Sequence, residues 1–271
     1  MKWPNPMTEL DFLRDILHRQ SKFARDAYAR RTSLDVSTKE HANDLLTEAD
    51  LAIQDNIVDA INAAFPGDHI VGEESGLNVL PSDTTIRCWF IDPIDGTQNF
   101  VRGLFPAFGI SIAFAHAGRA QCGGVSLPER EVTFLAQRDC GATANGETIS
   151  VSTIDDFTHA RTEIDFGHRA GRNDLLAHCI PVLRESGQVR CHCAAVVGLC
   201  SVATGDADAF IHAGLTPWDH AAAVLIAEEA GAKATQFDGS PIPLFAQAPS
   251  LAVTNGHVHD DLLTALRGSQ D

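Results

Sequence analysis

The sequence predicts a layered α/β or α+β sandwich, and three observations carry that reading. Two helix-like stretches with apolar residues at helical spacing open the chain. Short apolar runs broken by Gly, Asn and Pro follow from residue 69 to residue 151. Helix-like and strand-like stretches then alternate from residue 173 onward. Helices, a meander and alternating elements together suit stacked layers around an apolar interior.

Each element has a local reason. Thr8 followed by Asp11 is a capping arrangement, and Leu13, Ile16, Leu17, Ala24 and Ala27 keep one helical face to about Arg30. A second helix starts near Thr47, with Asp50 three residues on, and ends at Pro66-Gly67. Strands are predicted at 69–71, 88–91, 108–115, 121–127 and 132–136, where apolar runs end in turns. Asn145-Gly146 is a turn before a strand at 148–151. Helices are then expected at 173–186, 195–203, 218–230 and 257–266, and strands at 189–192, 209–212, 233–235 and 251–253.

The chain has 271 residues, 44% of them hydrophobic, with 36 acidic against 20 basic residues and a formal net charge of -16. That size and composition allow a sizeable core and exclude a disordered or fibrous chain. The acidic balance argues against a nucleic-acid polymer or an anionic membrane as partner. If the substrate is an anion, something positive must lie between it and this protein. Asp11, Arg14 and Asp15 interrupt the N-terminal region, which speaks against a secretory signal. The longest apolar run, Ala221 to Ala227, has seven residues, far short of the roughly 20 a membrane helix needs. Seven cysteines without a C-x-x-C pair read as reduced thiols in a cytoplasmic protein. Cys191-His192-Cys193 suggests zinc, with both thiols on one face of a strand, but the sequence offers no second half for a four-ligand set.

The chemistry concentrates in four segments. Gly72-Glu73-Glu74-Ser75-Gly76 follows a predicted strand, and its glycines leave the backbone free to aim a carboxylate; a solvated acidic turn is the plainer alternative. Asp92-Pro93-Ile94-Asp95-Gly96-Thr97 runs straight out of an apolar strand. Pro93 fixes the backbone between two aspartates, and Thr97 can open a helix whose N–H groups suit a phosphate. Two carboxylates there would repel that phosphate unless a cation intervenes, and oxygen-only ligands select Mg²⁺, Mn²⁺ or Ca²⁺ over zinc. Thr216-Pro217-Trp218-Asp219 enters a helix, where Asp219 is either an N-cap or a ligand. Lys39 and then Asp44 to Asp50 mark only a helix start by themselves. Phosphatases of the haloacid dehalogenase type place two aspartates two residues apart. Here Asp92 and Asp95 are three apart with Pro93 between, which favours metal bridging over an aspartyl-phosphate.

In this order, Gly72-Glu73-Glu74-Ser75, Asp92 through Thr97, and Trp218-Asp219-His220-Ala221-Ala222 through Glu229-Ala230-Gly231 resemble the signatures of the inositol monophosphatase family. Lys39 and Asp50 stand where that family has its early Lys and Asp, and Asn145-Gly146 with Ser150-Val151-Ser152 resembles its mid-chain turn. The resemblance runs from about residue 8 to 265. It implies an α-β-α-β-α sandwich like that of inositol monophosphatase and fructose-1,6-bisphosphatase, a homodimer, and Mg²⁺-dependent hydrolysis of a small-molecule phosphate monoester. The chain is then one phosphatase domain with sub-lobes of about 1–150 and 151–271.

Carried over onto matching positions, Glu73, Asp92 and the Ile94 carbonyl would hold one Mg²⁺, and Asp92, Asp95 and Asp219 a second. Glu73 would hold a weaker third. Asp95, Gly96 and Thr97 would contact the phosphate region. Glu73 and Thr97, the latter held by Asp50, would orient a metal-activated water for direct attack. The four acids sum to -4, which two Mg²⁺ cancel, so a phosphate dianion can enter with a third.

The alcohol side departs from the family pattern. His212 stands where the family has its inositol-recognising acid, seven residues before Asp219, and Cys193-Ala194-Ala195 replaces a Gly-Ser/Thr-Ala wall. A neutral imidazole cannot accept two sugar hydroxyls as a carboxylate does. Ala194 and His212 are therefore candidate substrate contacts, with a purely structural role for His212 equally open. Inositol 1-phosphate, histidinol phosphate, a sugar bisphosphate and a 3'-phosphonucleotide are the candidate substrates. A non-catalytic metal- or anion-binding protein is the reading from another class, and a missing acidic ligand would mark it. His257 and His259 read as surface residues, and His220 as a support for Asp219.

Overall fold

The computed structural model describes residues 7–38, 45–74, 76–103, 106–166 and 172–268; Lys39, Asp44 and Ser75 lie outside the described residues. In chain order the elements are α1 (Glu9–Ala29), β1 (Val36–Thr38), β2 (Leu45–Thr47), α2 (Glu48–Ala64), β3 (His69–Gly72), β4 (Cys88–Asp95) and α3 (Thr97–Arg102). There follow β5 (Gly109–His116), β6 (Arg119–Leu127), β7 (Val132–Gln137), β8 (Ala142–Ala144), β9 (Glu147–Thr148), β10 (Arg161–Ile164), α4 (Arg172–Glu185) and β11 (Gln188–Arg190). The chain continues through α5 (Ala195–Ala203), β12 (Ala209–His212), α6 (Pro217–Glu229), β13 (Lys233–Thr235), β14 (Leu251–Thr254) and α7 (His259–Arg267).

The layers are α-β-α-β-α. A seven-stranded sheet, ordered β3 to β9, is antiparallel except for the parallel β3–β4 pair. A five-stranded sheet has the order β11-β10-β12-β14-β13. Strand alternation decides the packing. Trp89 and Ile91 of β4 and Ile110, Ile112 and Phe114 of β5 meet the apolar faces of α1 and α2. Their neighbours Cys88, Phe90, Ala113 and Ala115 face α5 and α6, which fill the space between the two sheets. On the outer face of the second sheet, α4 and α7 cover Ile164, Ala209, Ile211 and Ala252.

Small residues bring α6 close to the first sheet. A Cβ on Gly123 would meet the Ala222 backbone at 3.0 Å. That approach needs Gly at one partner and Ala at the other. The apolar cluster around α5 and α6 takes residues from both sub-lobes, so the core runs continuously across residue 150.

The caps are as the sequence suggests. Thr8 accepts the Asp11 N–H at 3.1 Å to open α1, and Thr47 with Asp50 forms a capping box at α2. Asn145 and Gly146 both have positive φ, which makes the β8–β9 turn. The β1–β2 ladder and the strands β8 and β10 escape the sequence reading, β9 ends at Thr148 where a strand to residue 151 is expected, and β11 stops at Arg190. Cys191 and Cys193 therefore do not share a strand face; Cys193 has φ +53 and sits in a turn. None of the described helices is long and apolar enough to cross a membrane.

Candidate active site

The site is built where β4 leaves its sheet. Asp92, 1% exposed, pairs across β5 with Ser111. Pro93 has no N–H to give the ladder, and the register shifts between Asp92 and Asp95. The shift releases Asp95 from the strand's alternation and leads into Gly96, whose φ is +88. A Cβ at Gly96 would meet the Ala107 carbonyl at 2.9 Å and the Ala194 Cβ at 3.0 Å. Both the dihedral and the space therefore require glycine. The helix α3 that follows has only six residues. Its dipole offers a phosphate less than the sequence suggests, because aligned peptide units are few.

Glu73 is brought to Asp92 by strand pairing. Gly72 lies opposite Ile91 in the parallel β3–β4 ladder, and the Glu73 N–H donates to the Ile91 carbonyl at 3.1 Å. Gln54, fully buried on α2, clamps the loop: its side chain accepts the Glu74 N–H at 2.9 Å and donates to the Glu74 carbonyl at 2.7 Å. Gly72 is needed beneath it, since a Cβ there would lie 2.6 Å from Gln54 Oε1.

Asp219 arrives from the start of α6. Its Oδ2 accepts the Thr216 N–H and the Thr216 hydroxyl, both at 2.8 Å. Asp219 is thus the N-terminal cap partner that one sequence reading proposed, and that bond also fixes its carboxylate plane. Ser111 donates to the Trp218 carbonyl at 3.1 Å and so ties the residue before Asp219 to the strand that pairs with Asp92. Asp95 accepts the Val196 N–H at 2.8 Å. Burial holds the Asp95 carboxyl well above the usual carboxylate range, and the Asp219 charge pushes it further, with Asp165 adding to the same effect. The N–H groups of Val196 and Ala195 oppose that rise.

Thr97 closes the group. Its hydroxyl donates to the Ile94 carbonyl at 3.0 Å and lies 3.4 Å from Asp50 Oδ1. The other Asp50 oxygen takes the Thr47 N–H at 2.9 Å and the Thr47 hydroxyl. One sequence motif, Thr47-x-x-Asp50, therefore caps a helix and braces Thr97 together.

Glu73, Asp92, the Ile94 carbonyl, Asp95 and Asp219 offer oxygen alone, a donor set that fits a hard divalent cation and not zinc. The negative charge crowded around Asp95 is what such a cation would relieve. The acids do not close on a single point. Among the described residues, the only three His, Cys, Asp or Glu ligand atoms lying within 4.8 Å of one another belong to Asp165, Cys191 and Cys193. Spread carboxylates suit more than one ion, held about 3.5–4 Å apart.

The remaining candidates divide. Ala194 lies against Gly96, beside the acids. His212 is buried, and its Nδ1 accepts the Gly214 N–H at 3.0 Å, so that nitrogen carries no proton and is engaged by its own loop. His220 is buried with no hydrogen-bond partner at Nε2, and burial pushes its pKa down to about 4; it is a neutral core ring. His259, expected at the surface, is fully buried between Thr235 and Thr254, because both its nitrogens are satisfied there. Glu229 serves the fold: it accepts the N–H groups of Asp139 and Gly141 at 3.0 and 2.9 Å.

Sequence reasoning missed Gln54, Ser111 and Asp165. A signal existed for Gln54, which continues the buried α2 stripe of Asp50, Ile57 and Ile61 at helical spacing. Ser111 matters through Trp218, 107 positions away, and Asp165 through Asp95 on the other sheet and through Cys191 and Cys193, and local pattern does not show that.

The fold is that of the inositol monophosphatases. An inositol monophosphatase (IMPase) structure from Thermotoga maritima superposes with TM-score 0.85 at 30% identity, covering 97% of this chain and 98% of that one. The inositol monophosphatase family model matches residues 8–271, and the chain belongs to that family. A fructose-1,6-bisphosphatase/inositol-1-monophosphatase from Thermotoga maritima is 34% identical over 229 residues, 84% of each chain. A protein of Pseudomonas aeruginosa named Nus factor SuhB is 36% identical over 206 residues, 74% of this chain and 76% of that one.

Proposed function

We propose that this chain is a Mg²⁺-dependent phosphate monoester hydrolase of the inositol-1-monophosphatase type, acting on a small-molecule phosphate by direct attack of water. The observation that carries this reading is the facing of Asp95 and Asp219, two acids whose charges disfavour one another until a cation lies between them. Glu73, Asp92 and the Ile94 carbonyl are the proposed holders of one Mg²⁺, and Asp92, Asp95 and Asp219 of a second, with Glu73 also serving a weaker third. When bound, these ions supply charge cancellation and Lewis-acid polarisation at the phosphate.

The chain's own groups do the rest. Glu73 orients the attacking water and draws its proton. Thr97, with its one hydroxyl proton shared between the Ile94 carbonyl and Asp50 Oδ1, presents oxygen lone pairs to that water and is kept in place by Asp50. Asp95, Gly96 and Thr97 frame the phosphate. No side chain is required to form a covalent phosphoryl intermediate. A homodimer belongs to the same reading, on the family resemblance.

The phosphate end and the alcohol end give different information. Relatives carry more than one name, so kinship alone does not select the alcohol. On the proposed alcohol side, formed by His212, turned to Gly214, and the Cys193-Ala194-Ala195 segment, position 212 lacks the carboxylate that would accept two inositol hydroxyls. The test is phosphate release with Mg²⁺, and with chelator as control. The substrates are inositol 1-phosphate, histidinol phosphate, fructose 1,6-bisphosphate and adenosine 3',5'-bisphosphate. Mg²⁺-dependent release from at least one supports the reading, and the ranking identifies the alcohol. Release that is indifferent to chelator refutes it.

A further inference from the structure

The C-x-C segment that the sequence left without a partner finds one in the fold. Asp165, at the end of β10, brings a carboxylate oxygen within 4.8 Å of the thiols of Cys191 and Cys193. The two Sγ atoms are 3.4 Å apart, and both residues are exposed. Tetrahedral ligation by two thiolates with bonds of about 2.3 Å sets the sulfurs about 3.8 Å apart, so a small rotation suffices.

The segment is held rigid from both sides. Asn99 donates to the carbonyls of His192 at 2.7 Å and Cys193 at 3.4 Å. His192 is turned away onto Glu163 at 2.9 Å, which leaves the flanking thiols together. The Cys191 and Cys193 thiols are hydrogen-bonded to one another, so both sulfurs face the same point in space. Soft sulfur with one carboxylate is a donor set for a thiophilic ion, unlike the all-oxygen centre beside it.

We propose that Asp165, Cys191 and Cys193 form a three-ligand site for a thiophilic divalent cation such as Zn²⁺, with its fourth position open. The site borders the alcohol side of the cleft, since Ala194, next to Cys193, lies against Gly96. Binding releases the thiol protons to solvent. The site does not depend on how the acidic centre is read, because its signature is thiolate ligation and not turnover.

The probe is Co²⁺, titrated into the fully reduced chain in the presence of excess Mg²⁺ to occupy the oxygen ligands. A thiolate-to-cobalt charge-transfer band should grow to one equivalent. It should vanish in Cys191→Ser and in Cys193→Ser, persist in Cys140→Ser, and require about tenfold more metal in Asp165→Asn. On the unaltered chain, Zn²⁺ should protect Cys191 and Cys193 from alkylation while leaving Cys140 reactive. Absence of the band in the reduced chain, its survival in Cys193→Ser, or unprotected alkylation of the pair overturns the proposal.

Discussion

The hydroxyl of Thr97 lies 3.4 Å from Asp50 Oδ1, although the two residues are 47 positions apart. The contact joins the cap of α2 to the start of α3. In the proposed reaction it fixes the orientation of the oxygen that meets water. Thr97→Val should therefore lower kcat by about a hundredfold or more with a smaller effect on KM, and Thr97→Ser should recover most of it. Steady-state kinetics at saturating Mg²⁺ separates the two. Activity kept in Thr97→Val and lost in Thr97→Ser would assign the role to the methyl group's packing.

Ser111 couples Asp92's neighbouring strand to the Trp218 carbonyl. It is 1% exposed, so Ser111→Ala strips a buried acceptor of its donor and costs about 1–3 kcal/mol of stability. Because Asp219 is the next residue, the Mg²⁺ concentration for half-maximal activity should also rise. Urea unfolding and a Mg²⁺ titration check the two parts separately.

Asp95 opposes folding as long as no cation is present. Its carboxyl is held above the usual range, so near neutral pH its ionised form is less favourable folded than unfolded, and acidification relieves this. Asp95→Asn keeps an oxygen for the Val196 N–H and removes the charge. Without divalent ions the variant should melt above the unaltered protein, and with Mg²⁺ the order should reverse. A variant less stable than the parent in chelator contradicts the assignment of Asp95.

His259 makes stability depend on pH. Burial, aided by the Lys233 charge and opposed by Asp260, pushes its pKa from 6.5 down to about 4. Above 6.5 both folded and unfolded states are neutral and nothing is lost. Between about 6.5 and 4 the unfolded state takes up a proton that the folded state refuses, so stability falls as pH falls. The contribution is about 1.4 kcal/mol per pH unit for one proton. Denaturant unfolding of His259→Gln across that window should show a slope shallower by up to one proton, and an unchanged slope would refute the burial effect.

Much of this architecture is written in local pattern. The Thr8 and Thr47 caps, the alternation of Trp89 and Ile91 with Cys88 and Phe90, and the Asn145-Gly146 turn each declare their element within a few residues. The acids Glu73, Asp92, Asp95 and Asp219 could be named from spacing and resemblance. What stayed hidden depends on pairing at long range. Strand β10 reads as polar because Thr162 and Glu163 are buried only by virtue of Ser186 and His192. His259 looks like a surface residue until Thr235 and Thr254 enclose it. Asp165 completes a cysteine pair that the sequence places 26 or more positions away.

The central claim is that separated acids converge to hold divalent ions where a phosphate ester is cleaved. Anomalous diffraction from crystals soaked in Mn²⁺, an oxygen-seeking stand-in for Mg²⁺, tests it most directly. At least two scattering peaks should lie among the oxygens of Glu73, Asp92, Ile94, Asp95 and Asp219, and Asp92→Asn should lose them while remaining folded. A fully soaked crystal with no peak among those oxygens would contradict the account.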